Sequence, residues 1–306
     1  MPTYSVLARL QQAITLGVLS GGIVWLLWRW PDGPLVAIAG FLAIVLGYSF
    51  FLAAEFVALR FVSRGDPAPR ATWRELARAW IGETMAAPVV FCWRQPFRWS
   101  AVPDQLPMAS APDARRGAVF IHGFMCNRGF WNPWLERLNA SGHPFAAVNL
   151  EPLFGSIDNY VTTIEDAVQR LTQATGLPPV LICHSMGGVA ARAWLRSRSA
   201  DDRVHHVVTI GSPHNGTWLG CFSHLENGRQ MRLHSQWLQQ LDRPSDVFLH
   251  TKFTCWYSNC DNVVFPASTA TLPGARNRLI RGAAHVELGF HPLVMDETLQ
   301  LVTEAG

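Results

Sequence analysis

One serine of this chain stands in a segment whose residue types suit nucleophilic catalysis. Ser185 lies in the hexapeptide CHSMGG, which begins with the last residue of the apolar run PVLIC and precedes the helical pattern VAARAWLR. A sharp turn between a strand and a helix lifts a serine above the sheet, and it crowds the positions two before and two after the serine. Gly187 suits such crowding, and Cys183 is larger but acceptable. The helix that follows directs its N-terminal dipole at the reaction centre. The spacing predicts a nucleophile at a strand–helix junction.

The segments that must position this serine alternate short apolar runs with helical patterns from about residue 117 onward. We predict strands at 118–122, 145–150, 179–183, 204–210, 251–257 and 278–281. We predict helices near 130–140 and at 158–175, 187–198 and 291–303, the second with Asp158 as its N-cap. Strands separated by helices imply an α/β fold with a mostly parallel sheet and right-handed crossovers.

Three motifs carry a family resemblance. CHSMGG resembles the serine-hydrolase box of α/β-hydrolase-fold lipases and esterases, with Cys183 in place of the usual glycine. His122-Gly123-Phe124 resembles the HGF-type oxyanion turn of that family, and residues 209–217 (TIGSPHNGT) resemble the TxGxPHxGT segment of bacterial triacylglycerol lipases. The resemblance covers roughly residues 117–295. It implies an α/β-hydrolase fold, with helices flanking a mostly parallel sheet.

The resemblance also implies where the other two members of a catalytic triad lie. In this fold the acid follows the nucleophile along the chain, and the histidine follows the acid. Asp261 comes just past a predicted strand and would orient the histidine, although it also suits a turn-capping role. His285 lies before the last helix and would be the general base. Asp242, Asp246 and His291 are the rival residues.

Two backbone N–H groups would stabilise the oxyanion, those of Phe124 and Met186. We expect His122 to be a structural member of the oxyanion turn, and we expect His184 to pack or hydrogen-bond locally. No metal or organic cofactor is expected. The long connection 212–250 is either a lid that supplies acyl-chain surface or a surface helix packed on the core.

The N-terminal part of the chain carries the excess of apolar residues. Charged residues are 15% of the 306 residues and hydrophobic ones 49%, which excludes a disordered chain. Residues 10–28 and 35–54 contain no charge, and each stretch is about long enough to cross a bilayer. A turn with two prolines joins them, so we predict a transmembrane hairpin. A cleaved signal peptide followed by a core helix is the alternative.

Arginine placement predicts the orientation of the hairpin. One arginine, Arg29, lies in the turn, whereas five follow the second stretch: Arg60, Arg64, Arg70, Arg74 and Arg78. The positive-inside rule then places the catalytic domain on the cytoplasmic side, as in a bacterial inner membrane. There the six cysteines are expected to be free thiols, whereas an oxidising compartment would let some of them pair.

Residues 72–99 interleave four tryptophans with four arginines. This pattern suits the headgroup layer of a membrane, and it equally suits a connector packed on the next domain. No nucleic-acid motif accompanies the arginines, and the net charge is only +3. We therefore predict a two-helix transmembrane anchor at 1–62, an interfacial linker at 63–100 and a catalytic domain at 101–306.

These observations together predict a membrane-anchored serine hydrolase. It would cleave carboxylic esters of apolar, lipid-like substrates through an acyl-enzyme, with the lipid ester and the bilayer as its partners and no nucleic acid. An acyltransferase or a thioesterase would use the same triad, because only the second nucleophile differs. A catalytically silent membrane scaffold is the alternative from another class.

Overall fold

The computed structural model describes residues 5–107, 115–198, 201–241 and 250–304, and at its centre is a six-stranded parallel sheet. The strands are β1 (Ala118–Ile121), β2 (Phe145–Ala147), β3 (Val180–His184), β4 (His206–Ile210), β5 (Phe253–Ser258) and β6 (Arg276–Ile280). Their order is β2–β1–β3–β4–β5–β6. The strand order reverses between β1 and β3, and open α/β sheets bind ligands beyond the carboxyl ends at such a point.

Helices surround this sheet and also form the N-terminal part of the chain. They are α1 (Val6–Arg29), α2 (Pro34–Leu46), α3 (Tyr48–Val62), α4 (Trp73–Pro88), α5 (Gln95–Phe97), α6 (Asn132–Ala140), α7 (Val161–Thr175), α8 (Met186–Arg198), α9 (Glu226–Gln230), α10 (Gln236–Leu241), α11 (His285–Leu288) and α12 (Pro292–Glu304).

The two faces of the sheet bury separate hydrophobic clusters. Val119 and Ile121 of β1 pack with α7 and α8, whereas Phe120 packs with α6 and α12. Successive side chains of a strand point to opposite faces, so a strand covered by helices on both sides must be apolar throughout. The prediction of a mostly parallel sheet flanked by helices is confirmed.

Several predicted bounds are corrected by the structure. The strand predicted at 145–150 ends at Ala147. Asp158 is not the N-cap of α7, because a 3₁₀ turn, Ile157–Tyr160, precedes that helix. The hydroxyl of Ser156 accepts the N–H of Asp158 and so caps the turn one step earlier.

The apolar N-terminal stretches form one long helix and one bent pair. Residues Val6–Asp32 are long and apolar enough to cross a membrane, and only 11% of the most apolar part is buried. The second predicted stretch, 35–54, is instead divided between α2 and α3, which meet at Gly47 with a bend of 52°. A Cβ on Gly47 would lie 2.7 Å from the carbonyl oxygen of Ala43, so the backbone folds closely there.

Helix α3 packs against the sheet domain. Its residues Phe56 and Leu59 share a buried cluster with Phe265 and Ala284. Helix α4 lies beside it and buries Leu76, which belongs to the same cluster. Helices α3 and α4 therefore each contribute one side to the core of the domain.

Residues 72–99, the segment rich in tryptophan and arginine, expose their other side. Trp73 and Trp93 expose more than half of their surface, and Ile81 and Met85 do the same. The segment thus combines a face packed on the domain with an apolar face in solvent. The contact with headgroups stays a prediction.

The connection after β4 contains a 3₁₀ turn, Trp218–Phe222, followed by α9 and α10. Leu238 and Leu241 of α10 are buried against the core, whereas Phe222 is exposed. Asp242 and Asp246 lie outside the described residues. The role of this connection as a lid stays a prediction.

Candidate active site

The turn that carries Ser185 has the geometry expected of a nucleophile. Strand β3 ends at His184 and helix α8 begins at Met186, so the serine alone makes the turn. Its backbone φ angle of 55° lies in the left-handed region. Residues other than glycine rarely adopt this conformation, and they keep it only where the surrounding structure enforces it. The Ser185 N–H donates to the carbonyl of Ile210 in β4, and its own carbonyl accepts the N–H of Gly188. The sheet and the helix therefore hold the strained serine from both sides.

Two glycines let the chain after β1 approach this turn. A Cβ on Gly187 would lie 2.3 Å from the carbonyl oxygen of Ile121, so no larger residue fits there. A Cβ on Gly123 would lie 2.7 Å from the Cβ of Ser185 and 3.2 Å from its Oγ. The predicted oxyanion turn is thus in contact with the predicted nucleophile.

The two amides predicted for the oxyanion hole flank this contact. Phe124 follows Gly123 directly, and Met186 follows Ser185. Within the described parts of the chain, neither N–H donates a hydrogen bond to another protein group. Both amides are therefore available to a ligand, as an oxyanion hole requires.

The structure brings together the predicted acid and the predicted base. Nδ1 of His285 lies 2.9 Å from Oδ2 of Asp261, and both side chains are buried. The other carboxylate oxygen, Oδ1, accepts the N–H groups of Val263 and Val264. A carboxylate held in this way keeps the imidazole in one orientation, with its Nε2 atom facing away from the acid.

A third glycine makes room for this pair. Gly211 has a φ of 56°, and a Cβ there would lie 2.8 Å from Oδ2 of Asp261 and 3.2 Å from Nδ1 of His285. It stands at the end of β4, in the TIGSPHNGT segment that resembles bacterial lipases. That segment therefore serves the acid–base pair by leaving space for it.

The charges around His285 favour its protonated form. Burial alone would lower the pKa of this histidine, but the neighbouring carboxylate of Asp261 raises it above the ordinary value. The buried side chains of Glu83 and Glu55 act in the same direction. An imidazole with a raised pKa binds a proton readily, which suits a general base.

His184 packs and hydrogen-bonds as expected, but its hydrogen-bond partner is the distant backbone of the predicted base and not a local group. Its ring stacks on Phe130, with centroids 4.4 Å apart, and its centroid is 4.6 Å from that of His285. Its Nε2 lies 3.1 Å from the carbonyl oxygen of His285. Burial and the nearby His285 lower the pKa of His184 well below its ordinary value. A neutral His184 therefore donates its Nε2–H to the backbone of the predicted base.

Another buried histidine, His122, makes a hydrogen bond with each of its two ring nitrogens. His122 accepts the N–H of Leu150 at Nε2, and its Nδ1 lies 2.9 Å from the carbonyl oxygen of Gly123. Burial lowers the pKa of His122 to about 4. The ring thus ties the oxyanion turn to the chain after β2. The rival base, His291, stands just before α12, and no described group hydrogen-bonds to its Nδ1.

Sequence reasoning also missed two buried carboxylates that come from the N-terminal helices. Glu83 of α4 accepts backbone N–H groups of α11, the helix that begins at His285. Glu55 of α3 accepts the side-chain amide of Asn262 at 2.7 Å. The only sequence signal was the placement of acidic residues in largely apolar stretches, since buried carboxylates are rare unless they are paired.

Aromatic side chains lie near the oxyanion turn and in the connection after β4. The rings of Phe124 and Phe154 meet edge to face with centroids 6.2 Å apart, and Trp218 packs on Phe222 at 4.8 Å. Phe154 is 52% exposed and Phe222 is 62% exposed. Large exposed apolar side chains that cluster often mark a surface that contacts apolar partners.

Comparison with known proteins agrees with this architecture. The model of the alpha/beta hydrolase family matches residues 118–296, more than half of the chain. The mature form of Bacillus licheniformis lipase BlEst2 is similar in structure, with a TM-score of 0.55 and 18% identity over 63% of this chain and 94% of that one. Aspergillus fumigatus lipase B has a TM-score of 0.55 and 14% identity over 67% of this chain and 57% of its own.

No curated protein matches the chain. Identities of 14–18% to the solved structures show the fold alone. The family match and the six-stranded parallel sheet flanked by helices agree with each other. The chain belongs to the alpha/beta hydrolase family.

Proposed function

We propose that the protein is a serine hydrolase that cleaves carboxylic esters of apolar substrates through an acyl-enzyme. The observation that carries this proposal is the buried hydrogen bond between His285 and Asp261, next to a strained turn that presents Ser185. Structural scaffolds have no need of a left-handed serine beside an oriented histidine, because such strain costs about 1–3 kcal/mol.

Each residue has a defined role in this mechanism. Ser185 Oγ attacks the ester carbonyl, and His285 takes its proton. Asp261 holds the imidazole in place and stabilises its positive charge. The N–H groups of Phe124 and Met186 stabilise the oxyanion. His285 then returns the proton to the leaving alcohol, and a water molecule hydrolyses the acyl-enzyme by the reverse sequence of proton transfers.

The apolar surface supports a lipid-like substrate. Helix α1 and the bent pair α2–α3 expose many large apolar side chains, among them Leu35 at 84% and Phe50 at 73%. A core helix would bury these side chains, so a bilayer is the environment that they suit. Membrane anchorage would keep the site close to esters that partition into the bilayer, and Phe154 and Phe222 would contact the acyl chain.

Covalent labelling tests the proposal. A fluorophosphonate probe should modify the wild-type protein in detergent, and Ser185→Ala should lose labelling while it stays folded. Ser197→Ala is a matched control, because Ser197 lies on the same helix, α8, and within the described part of the chain its hydroxyl bonds only to the carbonyl oxygen of Trp194. Labelling of Ser185→Ala at the wild-type stoichiometry would refute the assignment of the nucleophile.

A series of esters with increasing acyl length then tests the substrate class. We expect kcat/KM to rise with acyl length, because an apolar surface gains binding energy with each buried methylene. Equal rates for acetate and long-chain esters would contradict an apolar substrate. Product analysis with an added alcohol distinguishes hydrolysis from acyl transfer.

A further inference from the structure

A carboxylate from the N-terminal helices caps the helix that carries the predicted base. Glu83 of α4 is 2% exposed. Its two oxygens accept the N–H of Val286 at 3.0 and 3.1 Å, and one of them also accepts the N–H of Glu287 at 3.2 Å. The first N–H groups of a helix have no partner within the helix, so a carboxylate at this position satisfies them.

A second contact reaches the same helix through one intermediate. Oδ1 of Asn262 accepts the backbone N–H of His285 at 3.2 Å. Nδ2 of the same asparagine donates to Oε2 of Glu55, a buried residue of α3, at 2.7 Å. Asn262 also follows Asp261 directly along the chain. Its hydrogen bonds therefore fix the backbone next to the predicted acid and the backbone of the predicted base.

The N–H groups of three consecutive residues, beginning at His285, are therefore fixed by side chains. Helix α11 has only four residues, and a helix of that length has little stability of its own. Its position must come from its surroundings. The close approach of α4 is visible at Gly82, where a Cβ would lie 2.8 Å from the carboxylate of Glu287.

We propose that Glu83 and Glu55 are positioning residues for the general base, so that the N-terminal helices complete the active site. Glu83 fixes the backbone from which the imidazole of His285 projects, and Glu55 does so through Asn262. This inference rests on the proposed function, since it assigns His285 as the base. A purely structural attachment of the N-terminal helices to the domain is the competing explanation.

Electrostatics separates these two explanations. Among the described residues, four titratable side chains face His285: Asp261, His184, Glu83 and Glu55. A negative charge at Glu83 or Glu55 favours the imidazolium form. Burial raises the pKa of Glu83 to about 7, so its charge acts on the upper part of the titration of His285. Removal of the charge at Glu83 or Glu55 should lower the pKa of His285, so the acid limb of the rate profile should move to lower pH. A contact that only attaches two parts of the chain has no reason to move this limb.

The experiment uses the full chain in detergent and three variants. Glu83→Gln removes the charge and part of the cap, whereas Glu55→Gln keeps an oxygen for Asn262 and removes only the charge. Glu75→Gln is the matched control on α4, because Glu75 bonds to Arg281 at the surface and glutamine also suits its place in the capping box. The rate constant of fluorophosphonate labelling is measured from pH 5 to pH 9, together with thermal unfolding.

We expect Glu83→Gln to label about 10-fold more slowly or worse, because small displacements of a catalytic group are costly. Its acid limb, and that of Glu55→Gln, should lie at lower pH than the limb of Glu75→Gln. Wild-type profiles in both variants, with only a lower melting temperature, would overturn the inference. If Glu83→Gln does not fold, Glu55→Gln decides alone. Absence of labelling in the wild-type protein would instead refute the proposed function.

Discussion

The Nε2–H of His184 donates to the carbonyl oxygen of His285 across 3.1 Å, so the residue before the proposed nucleophile holds the backbone of the proposed base. The stacked ring of Phe130 fixes His184 from the other side. The turn that carries Ser185 and the backbone of His285 are thereby joined by one buried hydrogen bond.

Replacement of His184 by phenylalanine tests this link. Phenylalanine keeps the stacked ring but leaves the carbonyl of His285 without its donor, which costs about 1–3 kcal/mol of folding free energy. We expect kcat to fall about 10-fold as His285 loses its fixed position. His205→Phe, at an exposed position before β4, is the control and should keep wild-type kcat. Equal kcat in both variants would contradict a positioning role.

Asp261→Asn should leave the fold intact and reduce kcat/KM by about 10⁴-fold. The imidazole of His285 would no longer be held in the reactive tautomer, and its protonated form would lose the negative charge that stabilises it. Ester hydrolysis and circular dichroism together check this expectation. The same change at Asp242 or Asp246 should be mild. Inactivation by Asp246→Asn with an active Asp261→Asn would mean that the acid has been misassigned.

Stability should depend on pH through Glu83. Burial raises the pKa of this carboxyl to about 7, while its backbone hydrogen bonds oppose the rise. In the unfolded chain it ionises near its ordinary value of 4.5. The unfolded state therefore binds fewer protons between these values, and the free energy of unfolding falls as the pH rises from about 4.5 to about 7, by up to about 3 kcal/mol.

Denaturation of the wild type and of Glu83→Gln across this pH range isolates the effect. The difference between the two free energies of unfolding should change with pH within the window and be constant below it. A difference that is the same at pH 4 and pH 8 would show that Glu83 does not titrate there.

Membrane orientation is tested by reporter fusion. The five arginines between residues 60 and 78 oppose translocation of the domain, so a phosphatase fused after Gly306 should be inactive and a fluorescent protein at the same position should be bright. Cys255 and Cys260 are unpaired and buried. Strong phosphatase activity, or a disulfide at either cysteine in protein trapped directly from cells, would place the domain on the opposite side.

Local patterns are enough to predict much of the fold and to name three candidate triad residues. The turn around Ser185 was recognisable because its crowding restricts the neighbouring residue types, and Asp261 and His285 followed from chain order within a family resemblance. The pairing of Asp261 with His285 in the structure is consistent with that order.

Contacts between distant parts of the chain were not predictable in the same way. Glu83 and Val286 are 203 residues apart, and no periodicity or motif records that they meet. The bend at Gly47 had no local signal either, because glycine is common in apolar helices. It follows from the packing of α3 on the domain, with Phe56 and Leu59 buried.

The burial of α3 has a consequence for how the enzyme would search for its substrate. Beyond α3, the backbone N–H of Ser268 donates to Asp66, so the connection to α4 is also held by the domain. Under the proposed anchorage, these contacts would mount the domain rigidly on its anchor. Its site would stay at a fixed height above one leaflet, and encounters would occur by lateral diffusion in two dimensions. We expect turnover to follow the mole fraction of ester in the surface, and dilution with inert lipid to slow it at constant bulk concentration.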